Sequence, residues 1–188
     1  MLSLKRLLST VLLILCLALG TQGAYAYNLN KMTDNQSILS ALKILEDNGQ
    51  NDVLARIEKH KTQIIFYDLT LISFSYAKHY AVASTDEYGD NYILINSNLR
   101  NSPKEALACL IAHESVHELA HATYEEEVRA TRTEARTWQL LKDRVSEKYN
   151  NDVLVKRLNG LLVIEQAENN SIDKAIAQNP FYQKQLAF

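Results

Sequence analysis

The pair His113 and His117, with Glu114 beside the first, constrains this chain more than any other feature. A helix turns every ~3.6 residues, so histidines four apart lie one above the other on one face. Two imidazoles so placed can share one metal ion. Glu114 then points to the flank of the pair, where a metal-bound water would sit. The spacing has this meaning only if the segment is helical, and the flanking residues predict that it is.

Ser102-Pro103-Lys104-Glu105 reads as a capping box that opens the helix. Serine caps, proline takes the first helical position where no N–H is needed, and glutamate reaches back. From there Ala106, Leu107, Leu110 and Ile111 lead into His113-Glu114-Ser115-Val116-His117, which places the motif in mid-helix.

Before it, Ser37 to Asn48 has apolar residues at helical spacing (Ile38, Leu39, Leu42, Leu45), and Asn51-Asp52 is expected to cap a short helix through Val53, Leu54 and Ile57. The polar stretch Tyr27 to Gln36 is expected to be loose. Gln63 to Tyr67, His79 to Ala83 and Tyr92 to Ile95 are rich in β-formers, and turn chemistry in Thr85 to Asn91 predicts a hairpin between the last two. Asp68 to Tyr76 reads as either a short strand or a loop. After the motif, helices are expected over about Glu125 to Val145 and Asp152 to Glu168, with a short one following Asn179-Pro180. Helices, a small antiparallel sheet, then helices: the fold class is α+β.

The N-terminus has the form of a secretory signal: Lys5 and Arg6, an apolar run from Leu7 to Leu19, and Ala24-Tyr25-Ala26 as an A-x-A site. This largely apolar run of 13 residues falls short of the ~18 of a spanning helix. Cys16 follows Leu15, which is not the small residue that a lipidation signal needs. Residues 1–26 are therefore read as a signal peptide and 27–188 as a single domain, exported to the periplasm or beyond the cell. The mature chain keeps one cysteine, Cys109, expected in the core between Ala108 and Leu110. Its formal charge moves from −2 to −4 when Lys5 and Arg6 leave, and no basic stripe suggests a nucleic-acid partner.

A catalytic zinc takes three protein ligands and leaves a fourth position open. A third histidine six residues beyond the pair would complete one known pattern, but Ala120 and Thr123 stand at its glycine and histidine places. His121 lies a further turn along the same helix, too far round to close on the same ion. The alternative is a glutamate from the next helix: Glu125, Glu126, Glu127 or Glu134. Its packing face should hold Val128, Thr131, Ala135, Trp138 and Val145. At ~100° per residue, Glu127 and Glu134 fall on or near that face and Glu125 and Glu126 point away. Reversal of the chain around Ala122 to Tyr124 sets Glu127 opposite His117. Glu127 is thus the expected third ligand, with Glu134 as second choice or as a group that orients a histidine.

These residues resemble the gluzincin metallopeptidases, especially small ones of minimal architecture. The resemblance covers Tyr92 to Trp138: the strand Tyr92 to Asn96, the helix through Ala108 to His117, and Glu126-Glu127-Val128-Arg129-Ala130. It implies a zincin-like fold and one zinc on His113, His117 and Glu127. It implies Glu114 as general base, and a peptide or protein substrate paired along Tyr92 to Asn96 as the sheet edge. A donor for the oxyanion is also needed, and Tyr124 and Tyr182 are the candidates. The rival expectation is an inactive zinc-binding scaffold that recognises a partner on the same strand.

Overall fold

The computed structural model describes residues 27–117, 123–167 and 171–179. The expected signal peptide with Cys16, and the candidates His121 and Tyr182, lie outside them. The described chain is α+β: helices α1 (Gln36–Asp47) and α2 (Asn51–Lys59), strands β1 (Gln63–Tyr67), β2 (Ala81–Thr85) and β3 (Asn91–Asn96), then α3 (Lys104–Glu114), α4 (Tyr124–Leu141), α5 (Val153–Gln166) and α6 (Ser171–Gln178).

The segment expected to be loose is tied down. Leu29 and Met32 enter the core, Ile64 N–H donates to the Met32 carbonyl (2.8 Å), and Thr33 Oγ1 donates to the Ile64 carbonyl (2.8 Å). Asn35 then caps α1 by accepting from the Ser37 and Ile38 amides. The cap position of α2 is Gln50, with no side-chain bond, so Asn51 and Asp52 are its first residues rather than its caps.

The sheet is mixed, not antiparallel. Its order is β1-β3-β2, with β1 parallel and β2 antiparallel to β3. The expected hairpin joins β2 and β3 through a turn in which Asp86 Oδ1 accepts from the Tyr88 and Asp90 amides and Gly89 takes φ 87°. Residues 68–80 form a loop of two short 3-10 turns, Leu69–Leu71 and Phe74–Lys78. The parallel pairing makes β3 the central strand, which overturns its reading as the sheet edge. Met32 and Thr33 partly cover the outer side of β1, so β2 is the edge left on the other side.

Helix α3 runs through the centre: Ala106 to Glu114 are all buried. It packs against α4, α1, α5 and β2. A helix apolar all round is one with neighbours all round. Cys109 sits in this core, and burial pushes its thiol well up. The capping box does not form. Pro103 is the cap residue, and Ser102 Oγ donates instead to Asp152 Oδ2 (2.9 Å). Asp152 in turn caps α5, its Oδ1 accepting from the Leu154 and Val155 amides. The Ser102 hydroxyl is thus turned toward a carboxylate acceptor and away from its own helix, and one contact links the starts of two helices.

Helix α4 ends at Leu141, four residues short of the expected Val145, and passes into a 3-10 turn, Lys142–Arg144. Its buried face includes Val128, Thr131, Ala135 and Trp138, and Trp138 Nε1 donates to Asn159 Oδ1 on α5 (2.9 Å). The last described helix is Ser171–Gln178, and the short helix expected after Asn179-Pro180 lies outside the described residues. No helix among the described residues is long and apolar enough to cross a membrane.

Candidate metal centre

The H-E-x-x-H segment is helical only in its first half. Helix α3 stops at Glu114, and the chain winds on more tightly: Val116 N–H donates to the His113 carbonyl (3.0 Å) and His117 N–H to that of Glu114 (3.2 Å). Ser115 stands at the change. Its hydroxyl donates to the Ala112 carbonyl (2.8 Å), the acceptor that Val116 would use in a continuing helix. The motif is therefore at the end of the helix and not in its middle. The tighter turn still leaves the two imidazoles together, with ring centroids 5.2 Å apart.

Helix α4 brings the carboxylate. Thr123 caps it, Oγ1 accepting from the Glu126 amide (3.2 Å), and Glu127 follows in the first turn. Glu127 Oε2 is 3.8 Å from His113 Nε2, and Glu127 Oε1 is 3.7 Å from His117 Nε2. One donor atom from each of His113, His117 and Glu127 lies within 4.8 Å of the others. These separations exceed a hydrogen bond. The two Glu127–imidazole distances are a few tenths of an ångström above the ~3.3–3.4 Å between ligands of a tetrahedral ion with bonds of about 2.0–2.1 Å. All three side chains are largely removed from water. This buried His-His-Glu group could hold a metal ion.

Glu134, one further α4 candidate, occupies another side of His113. Its Oε2 is 3.1 Å from His113 Nδ1, while both its oxygens accept from Arg157 of α5, one of them from Nη2 at 2.8 Å. Glu134 is fully buried. Burial alone would raise its pKa, but the Arg157 charge and His113 outweigh burial and bring it down to about 2. Burial likewise pulls His113 down, and the Glu134 carboxylate reverses that and leaves it raised. A proton held at Nδ1 toward Glu134 leaves Nε2 as the lone-pair nitrogen, the one that faces Glu127. His117 is pushed down to about 3 by burial and by the charges of His113 and Arg129, so its ring is neutral near pH 7, as a ligand must be.

Glu126, expected to point away, is also buried, its Oε2 4.0 Å from His117 Nδ1. Glu126 is turned inward because α4 meets the His117 turn at its first turn as well as α3 along its length. Thr123-x-x-Glu126 has the form of a capping box, which was the signal for a helix start that turns Glu126 inward. Arg157 was also missed, and it carries no local pattern. Tyr124 is engaged elsewhere, its hydroxyl donating to the Asp173 carbonyl of α6 (2.8 Å).

Glu114 and His117 open onto a cleft of about 220 Å³ whose far wall is the β2–β3 hairpin: Val82 to Thr85 and Asn91 to Ile93. Of the strand expected to line it, Tyr92 and Ile93 do so. Burial is the main cause that lifts the Glu114 carboxyl to about 7, with Glu127 and Glu134 adding to it and His113 opposing. A carboxyl poised near 7 at the edge of a cleft is suited to accept and return a proton. Comparisons with protein-family models, curated proteins and solved structures find no match to this chain.

Proposed function

We propose that this protein is an exported zinc metallopeptidase of the gluzincin type, with a zincin-like arrangement of its sheet and active-site helices. The observation that carries the reading is the convergence of His113, His117 and Glu127 beside Glu114 at the cleft. Two imidazole nitrogens and one carboxylate make a donor set suited to zinc, with a fourth position left for water or substrate. When bound, such an ion acidifies a water and draws charge from a scissile carbonyl.

The chain's own residues do the rest. His113 and His117 bind through Nε2 and Glu127 through its carboxylate. Glu134 holds the His113 ring in the tautomer that presents Nε2, and Arg157 holds Glu134. Glu114 takes the proton of the attacking water and hands it to the leaving amine. The substrate pairs as an extended peptide along β2, the strand at the edge of the sheet and in the wall of the cleft. The N-terminal signal form supports action outside the cytoplasm.

The test is cleavage of a broad peptide library by zinc-loaded wild type and by Glu114→Ala, with zinc content measured on both. Cleavage by the wild type, lost in the variant while zinc stays bound, is the expected result. A wild type that binds zinc and cuts nothing would point instead to a zinc-binding recognition scaffold.

A further inference from the structure

The cleft carries a cation that the peptide chemistry does not use. Arg56 of α2 lines it, and its guanidinium reaches the residue next to the proposed base: Nε and Nη2 each lie 3.3 Å from Ser115 Oγ. These are long contacts to a neutral acceptor. The Nε–Nη2 edge is the fork that a carboxylate fits with two parallel hydrogen bonds. The third contact, from Nη1 to Asp52 at 3.1 Å, is a surface pair whose aspartate side chain is 67 % exposed, whereas that of Arg56 is 24 % exposed. Such an i,i+4 pair holds the arginine weakly.

His60 lines the same cleft at the end of α2. Its Nε2 is buried and has no hydrogen-bond partner among the described residues. A buried ring nitrogen without a partner is costly, and a ligand can supply the partner. Asn91 Nδ2 bonds the His60 carbonyl (3.0 Å) and so ties this residue to the hairpin wall. Arg56 and His60, four residues apart at the end of α2, thus both line the cleft beside Glu114, opposite the uncharged Val82 to Thr85 of β2, and a turn of the His60 ring would bring its nitrogen to an anionic group held on the guanidinium fork.

We infer that Arg56 and His60 form a carboxylate subsite, so that the substrate bears a carboxylate on a residue flanking the bond that is cut. This rests on the peptidase reading above. The carboxylate has two sources, an aspartate or glutamate side chain or the C-terminus of the peptide.

The experiment uses zinc-loaded wild type, Arg56→Gln, Arg56→Lys and His60→Gln against a peptide library with cleavage sites read by mass spectrometry. Matched peptides then follow, with Glu exchanged for Gln and a free C-terminus for an amide. Wild-type sites should be enriched in a neighbouring carboxylate, and the Glu/Gln and acid/amide pairs tell the two sources apart. Arg56→Gln should lower kcat/KM about tenfold or more on carboxylate peptides, chiefly through KM, and leave neutral ones within about twofold, with His60→Gln intermediate and Arg56→Lys partly restored. Cleavage without carboxylate enrichment overturns the subsite and leaves the peptidase reading standing. An equal loss on both peptide types would make Arg56 only an anchor for Ser115.

A second readout does not need turnover: binding of the Glu and Gln peptides to zinc-loaded Glu114→Gln protein. A preference for Glu that disappears on adding Arg56→Gln supports the subsite even if the wild type cuts nothing. A preference that survives the arginine change places the carboxylate on the ion and overturns it.

Discussion

Glu134 Oε2 stands 3.1 Å from His113 Nδ1, while the other nitrogen of that ring faces Glu127. One imidazole therefore lies between two glutamates of the same helix, seven residues apart and so on one face of α4. The buried Glu134 carboxylate favours a proton on the nitrogen beside it, Nδ1. Glu134→Gln should keep the fold and the three proposed ligands but weaken zinc binding about 10–100-fold. Competition with a chromophoric chelator measures this, and an unchanged affinity would remove Glu134 from the account.

Arg157 makes two contacts with that carboxylate and lies over the Tyr80 ring, 5.0 Å from its centroid. Removing it leaves Glu134 charged in the core beside a single histidine. Arg157→Met is expected to cost about 3–5 kcal/mol in urea unfolding of the metal-free protein. Adding Glu134→Gln should recover part of that loss, because the amide carries no stranded charge. A neutral Arg157→Met, or a double variant whose loss equals the sum of the two single losses, would show that the pair does not act as a unit.

Glu114 should make the metal-free protein less stable as pH rises. Its pKa is about 7 in the fold against 4.5 for a free glutamate carboxyl. The folded state thus binds more protons between these values, and stability falls as pH climbs through that window. A gap of this size corresponds to something on the order of 3 kcal/mol. In the presence of a chelator, Glu114→Gln should therefore gain stability relative to wild type by that order between pH 4 and pH 8, in matched denaturant titrations. A difference that does not change with pH would mean that Glu114 is already solvated in the absence of metal.

What the sequence made legible depends on how local each feature is. The α+β order was readable because helix and strand periods are local, and Val128, Thr131, Ala135 and Trp138 are buried on α4 as their spacing implied. The juxtaposition of Glu127 with the two histidines was reachable because it needs only a helix face and a nearby reversal. The place of β3 was not, because it depends on parallel pairing with β1, across residues 68–90 and with no turn signal to announce it. The end of α3 at Glu114 falls inside the motif, where Ser115 bonds back to the Ala112 carbonyl and no glycine or proline marks a stop. Ser102 likewise left its own helix for Asp152, fifty residues on. Arg157 and Arg56 reach the site from helices far away in the chain, and nothing in their neighbours marks them.

The central claim is that the ion rests on His113, His117 and Glu127, with Glu134 behind His113. The most direct measurement is zinc content by elemental analysis of wild type, Glu127→Ala and Glu134→Ala, purified in parallel without added metal. About one zinc per chain in the wild type, none in Glu127→Ala and a reduced but detectable amount in Glu134→Ala is the predicted result. Zinc retained in Glu127→Ala and lost from Glu134→Ala would contradict it.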